Sequence, residues 1–283
     1  MTSDAPVPPP YPPQTPTVAR VYDAVLGGND NYAVDRDIAD AITASVPQAR
    51  VVARDNRDFL IRAVGHMARS GITQFLDLGA GLPTMDKTHQ AAQRIAPDAR
   101  VVYVDNDPVV LVHGRALLED DDSTRVVVSD LRDVETVFAA PETRRLLDLS
   151  RPVGLLMISI VHHLDDADDP HALVRSYLQH LAPGSMLALS HFYDGADLTG
   201  PVGERVRAKA RSSEEIVLTS LGSGRFRSRA EITAFFDGLE TDEFGICHLP
   251  EWRPEGLVDV REDQRVFLCG LGRLPGTAEP TAQ

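Results

Sequence analysis

Cysteine is nearly missing from this chain. Only Cys247 and Cys269 occur in 283 residues, with no Cys-x-x-Cys pair and no Cys/His ligand spacing. That argues against a disulfide framework or a metal site and for two reduced, buried thiols. Long apolar runs are missing too, and none approaches the ~20 residues that cross a bilayer. The opening "MTSDAPVPPPYPPQTPT" has neither the basic start nor the apolar stretch of a secretory signal. Cytoplasmic residence without a membrane partner is therefore the expectation. Positive charge is scarce, with 28 Lys and Arg against 42 Asp and Glu, a net −14. Sequence-independent nucleic-acid binding needs cations to neutralise phosphates, so nucleic acid is not an expected partner. A cationic ligand fits this balance better.

What is present is an ordinary globular composition between two tails. Proline fills seven of the first sixteen positions, so residues 1–16 read as an extended, disordered tail, and residues 275–283 read the same way. Between them strands alternate with helices. "QFLDL" (74–78), "ARVVYVDND" (99–107), "RVVVSD" (125–130), "VGLLMISIV" (153–161) and "SMLALSHF" (185–192) read as buried strands. "THQAAQRIA" (88–96), "PVVLVHGRALL" (108–118) and "HALVRSYLQHLAPG" (171–184) read as the intervening helices. Units of this kind predict an α/β domain with a mostly parallel sheet and helices on both faces. Two further strands, near "EFGICHL" (243–249) and "RVFLCGLG" (265–272), have no long helix between them and predict an antiparallel, hairpin-like finish. Ser228 and Glu231 form a capping box before a helix over 227–240.

In an open α/β sheet, ligands sit beyond the carboxyl ends of the strands. Asp77, Gly79 and Gly81 follow the first strand here, Asp105 ends the second and Asp130 the third. His162 and His163 follow the fourth, and His191 ends the fifth. The dinucleotide pattern G-x-G-x-x-G fails, because Thr84 stands at the third glycine. A pyrophosphate would also be repelled by Asp77. S-adenosylmethionine fits better, since its methionine end carries an ammonium and a sulfonium and it has no phosphate. Asp77 is then placed to hold that end. Asp105 is placed for the ribose hydroxyls, and Asp130 with Leu131 for the adenine amine and ring. Ala80 and Asn106 complete the frame.

At this point the sequence resembles a family. "FLDLGAG", "VVYVDNDP", "VVVSDLRD" and "APGSMLALSHF" look like successive motifs of class I S-adenosylmethionine-dependent methyltransferases. "ARVYDAVLGGNDNYAVDR" (19–36), "QFLDLGAGLPT" and "FRSRAEITAFFDGLE…EWRP" (226–254) resemble an actinobacterial group of these proteins whose substrate is unknown. The likeness spans residues 17–274, with Pro83 where the wider pattern has a third glycine. It implies a Rossmann-like fold, a seven-stranded sheet whose last strand is antiparallel, and extra N-terminal helices. It also implies S-adenosylmethionine as cofactor and a small-molecule acceptor methylated at O, N or C. The domain then divides into an N-terminal helical lid (17–70), a cofactor-binding core (71–192), a variable acceptor wall (193–242) and a C-terminal hairpin (243–274).

Each site residue has a plainer reading beside the functional one. His162 or His163, in "SIVHHLDD", is the expected general base or acceptor-orienting group; otherwise one packs and the other caps a loop. His191 and Tyr193 line the acceptor pocket or sit in the core. Tyr22 and Asp30 close over the cofactor and Tyr32 meets the acceptor, or the stretch is a helix-turn-helix with caps. "LDDADDP" (164–170) binds a cation or caps a helix. Two other functions share these features: a nicotinamide-dependent oxidoreductase, and a regulator that binds S-adenosylmethionine without turnover. Nucleic-acid or protein methylation lacks its basic groove or target-positioning motif.

Overall fold

The computed structural model describes residues 13–82, 87–107, 110 and 122–276. Apart from Val110, the expected helix at 108–118 lies outside them, as do Pro83, Thr84 and most of both predicted tails. Residues 13–16 do not behave as a tail: the Thr15 carbonyl accepts from the Arg20 guanidinium, and Thr17 caps the first helix.

Among the described residues, three helices precede the sheet: α1 (Val18–Leu26), α2 (Ala33–Ser45) and α3 (Ala49–Arg69). The sheet then alternates with helices through β1 (Gln74–Leu78), α4 (Thr88–Gln93), β2 (Arg100–Asp105), β3 (Thr124–Val128), α5 (Val134–Ala139) and α6 (Pro141–Leu146). It continues through β4 (Gly154–Ile158), α7 (Pro170–Gln179), β5 (Met186–Phe192), α8 (Gly200–Leu221), α9 (Arg229–Ala234), β6 (Glu240–Thr241) and β7 (Phe267–Arg273). The strand order is β3-β2-β1-β4-β5-β7-β6. Neighbours from β3 to β5 run parallel, whereas β7 is antiparallel to both β5 and β6. The α/β class, the seven strands and the antiparallel end all match the expectation.

Both sheet faces are covered, which is why the strands read as continuous apolar runs. Phe75, Val101, Leu156 and Ala188 pack with α3 and α4 on one face. Leu76, Val102, Leu155 and Leu187 pack with α5 and α7 on the other. Truncating one of the buried leucines here, Leu76, Leu155, Leu156 or Leu187, to Ala would cost about 2–5 kcal/mol. Trp252 packs edge-on to Phe59 of α3, with ring centroids 5.1 Å apart. Arg62, also on α3, donates to the Trp252 carbonyl at 3.1 Å.

One strand is misplaced by the sequence. The expected strand at 243–249 is a turn closed by the Gly245 N–H on the Asp242 carbonyl, and β6 comes earlier, at Glu240–Thr241. Only Cys247 of that stretch pairs with β7. It exchanges both backbone hydrogen bonds with Cys269, so the two free thiols share one rung.

Candidate functional site

A cavity of about 580 Å³ opens beyond the carboxyl ends of β1 to β5, under α1, α2, α3 and α8. The turn after β1 begins it. Gly79 and Gly81 both adopt left-handed backbone, at φ +69° and +64°. A Cβ on Gly79 would also lie 2.4 Å from the Ile160 side chain. Glycine is thus required by conformation and by packing. Among the described residues nothing lies within 4 Å of where a Cβ on Gly81 would project. The Gly81 N–H donates to Asp105 at 2.9 Å, which ties the end of β1 to the end of β2.

Three of the acids predicted at the strand ends line this cavity, in different electrostatic states. Asp77 shares its sheet face with Phe75 and is buried, which pushes its carboxyl up to about 6. A hydrogen bond from Thr88 at 2.6 Å and the positive charge of Arg57 offset part of that rise. Such a carboxylate gains from a cation placed beside it. Burial also raises Asp105, whose two oxygens accept from Gly81 and Asp107. Asp130 is held low by Arg132, which grips it through Nε and Nη2 at the cavity mouth. Ala80, Asn106 and Leu131 line the same edge.

The N-terminal helices contribute differently from expectation. Tyr22 does line the cavity, fixed by donating to the Ala53 carbonyl at 3.0 Å and accepting from Asn56 at 3.1 Å. Asp30 and Tyr32 do not line it. The Asp30 N–H is capped by Asp23, and Tyr32 starts α2 with the Arg20 guanidinium over its ring. The carboxylate that α1 presents to the cavity is Asp23, whose Oδ1 is buried without a partner. Sequence reasoning also missed Asn56 and Arg57. They stand one α3 turn before Leu60, inside a pattern that reads as a plain amphipathic helix. Asn56 accepts from Ser190 at 2.6 Å, and Ser190 accepts from the Ser159 N–H. Ser159 itself has φ +58°, a strained backbone at the cavity edge.

The histidines divide. His162 and His163 line the cavity. His162 is fully buried, neither ring nitrogen has a partner, and burial holds its pKa well below the usual value. No carboxylate bonds either nitrogen, and the ring stacks on Phe192 at 3.6 Å. His163 bonds Ser223 at 2.9 Å through Nδ1, and burial lowers it to about 4, too acidic for an efficient base at neutral pH. His191 and Tyr193 are corrected outright. Strand alternation puts Ser190 and Phe192 toward the cavity and His191 on the opposite face. There His191 Nδ1 donates to the Phe192 carbonyl while Nε2 accepts from Arg227. Tyr193 is buried away from the cavity with its hydroxyl on Asp197. The aspartates of 164–170 are taken by Arg225, Arg227, Arg132 and the α7 cap.

Residues 11–275 match the family described as S-adenosyl methyltransferase. The chain belongs to this family. It is similar to a candidate methyltransferase from Thermobifida fusca, with 39% identity and a TM-score of 0.86 over 94% of this chain and 99% of that one. A DUF574 family protein from Streptomyces avermitilis is 38% identical, with a TM-score of 0.82 over 93% of this chain and 98% of the other. An O-methyltransferase family protein from Burkholderia thailandensis shares the fold alone, at 12% identity and a TM-score of 0.51 over 81% of this chain and 60% of that one. No curated protein matches. As a member of the S-adenosyl methyltransferase family, the protein uses S-adenosylmethionine as its cofactor, and methyl transfer is its reaction. The nicotinamide reading is set aside. Among the described residues, no helix is long and apolar enough to cross a membrane.

Proposed function

We propose that the methyltransferase binds S-adenosylmethionine across the ends of β1, β2 and β3 and methylates a small molecule held beyond β4 and β5. The observation that carries this reading is the Gly79–Gly81 turn, clamped on Asp105 beside the buried Asp77. When bound, S-adenosylmethionine would supply a methyl group activated by its sulfonium, with the neutral thioether as leaving group. The chain's own groups bind and orient. Asp77 faces the ammonium and Arg57 the carboxylate of the methionine end, a pairing in which each protein charge meets its opposite. Asp105 keeps lone pairs for the ribose hydroxyls beyond the two N–H groups it already accepts. Asp130, fixed by Arg132, accepts from the adenine amine while Leu131 covers the ring. Gly79, Ala80, Gly81 and Asn106 frame the backbone side.

Residues 17–70 act as the lid, with Tyr22 and Asp23 rather than Asp30 and Tyr32 facing the ligand. Residues 193–242 form the acceptor wall, through α8 and Phe226. His163 is kept neutral to hydrogen-bond the acceptor, and alignment with exclusion of water does most of the catalytic work. We place this activity in the cytoplasm.

Calorimetric titration tests the assignment. S-adenosylmethionine should bind in the micromolar range, and Arg57→Met should weaken it at least tenfold. Binding of NAD with none of S-adenosylmethionine would reassign the cavity.

A further inference from the structure

The part of the cavity beyond β4 and β5 is walled unlike the part beside the acids. On α8, Ser213, Val217 and Leu221 recur at helical spacing and face inward. A second wall is Ile42 of α2 and Val46, the residue that caps its C-terminus. The third wall is a stack of flat rings. Phe192 lies between His162 and Phe226, with centroids 3.6 and 4.6 Å away and planes 14° and 13° apart. Phe267 closes it edge-on to Phe192 at 4.8 Å. Among the described residues, α2, α8 and this ring stack turn no charged side chain toward the cavity. The charged side chains lining the cavity are Asp77, Asp105, Asp107, Asp130 and Arg132 at and just past the strand ends, with Asp23 of α1 and Arg57 of α3.

One polar group interrupts the α8 stripe. Ser213 is 8% exposed, and its hydroxyl is buried without a hydrogen-bond partner. A buried hydroxyl without a partner is disfavoured, so a ligand group that reaches it gains affinity and position together. The rings gain from a flat partner, which stacks or meets them edge-on. A charged group placed against these walls would lose its water, and neither α2, α8 nor the ring stack offers it a counter-ion.

We propose that this chamber selects an uncharged acceptor built on a flat, apolar ring system, and that Ser213 reads its polar substituent. The proposal rests on the assignment of the strand ends to the cofactor, and the test separates the two. It also accounts for His162 and His163, which burial keeps neutral and which therefore add no charge to the wall.

The probes are 1-naphthol, 1-naphthoate and 1-naphthylmethylammonium, titrated with and without saturating S-adenosylhomocysteine. 1-Naphthol should bind at least tenfold more tightly than either charged relative. Ser213→Ala should weaken 1-naphthol several-fold and leave naphthalene unchanged. Leu221 is half-buried at the end of α8, so Leu221→Asp should fold; it should remove most naphthol affinity while S-adenosylhomocysteine still binds. Phe226→Ala provides a second variant if the melting temperature of Leu221→Asp collapses. A charged relative binding as tightly as 1-naphthol overturns the proposal. So does the absence of naphthol binding, or naphthol affinity indifferent to Leu221→Asp and Phe226→Ala. Naphthol binding with these dependences but no S-adenosylhomocysteine binding would keep the chamber and remove the cofactor assignment. S-adenosylhomocysteine binding with no preference among the rings would do the reverse.

Discussion

Asp105 accepts the Gly81 N–H through one carboxylate oxygen and the Asp107 N–H through the other, each at 2.9 Å. The acid that ends β2 therefore shapes the glycine turn that follows β1, in addition to whatever it offers a ligand. Two neighbouring strand ends are set by one side chain.

Asp105→Asn leaves one acceptor oxygen for two donors. Hydrogen bonds to charged groups contribute about 1.5–3 kcal/mol each, so S-adenosylmethionine affinity should fall by about tenfold or more. Hydrogen exchange at the Gly81 amide should speed up in the same variant without ligand. Unchanged exchange there would mean that the clamp does not hold the turn.

Asp77 should tie stability to pH in the direction opposite to most carboxylates. Its folded pKa of about 6 lies above the ordinary 3.8, so between those values the folded state binds more protons than the unfolded one. Its contribution to stability is full below about pH 4 and is lost as pH rises through 6. At about 1.4 kcal/mol per pKa unit this amounts to roughly 2–3 kcal/mol. Without ligand, Asp77→Asn should accordingly be more stable than the parent at pH 7, with the gap closing toward pH 5. It should also bind S-adenosylmethionine more weakly. Denaturant melts of both proteins at the two pH values decide it, and a gap independent of pH would refute the buried carboxylate.

Arg20 and Asp35 form an ion pair at 2.9 Å with side chains 3% and 0% exposed, joining α1 to α2. Asp35 also accepts the Tyr32 N–H at 2.9 Å. Removing one member strands the other without its counter-ion, at about 3–5 kcal/mol. Asp35→Ala should lower the melting temperature and loosen α1 and α2 in hydrogen exchange more than the central strands. A change below 1 kcal/mol, itself an order-of-magnitude threshold, would place the pair in water.

Tyr193→Phe separates the corrected position from the expected one. The hydroxyl bonds Asp197 outside the cavity, so its loss should cost stability on the order of 1 kcal/mol. The dissociation constants of S-adenosylmethionine and of a bound acceptor should not change. A selective loss of acceptor affinity would return Tyr193 to the site.

How far the site was legible depends on where its information resides. Strand-end acids and the glycine turn are local: an apolar run ending in Asp, followed by Gly-Ala-Gly, carries its placement along the chain. His191 was misread because both faces of β5 are buried, so alternation says that Ser190 and His191 point oppositely without saying which face holds the cavity. Asp30 and Tyr32 were misread because a polar cluster after Gly27-Gly28 serves equally as ligand groups or as caps. Here Asp23, seven residues earlier than Asp30, takes the capping role and the cavity position together.

By itself the sequence determined the α/β alternation, the antiparallel end of the sheet, and Asp77, Gly79, Gly81, Asp105 and Asp130 as one edge, which lines the cavity. Periodicity and strand termini are properties of neighbouring residues, so one dimension suffices to read them. Only the tertiary structure decided that Asn56 and Arg57 of α3, Ser213 of α8 and Phe226 meet around the same cavity, and that Cys247 faces Cys269. These contacts join segments far apart in the chain, and whether a helical side chain meets solvent, core or ligand depends on which element packs against it.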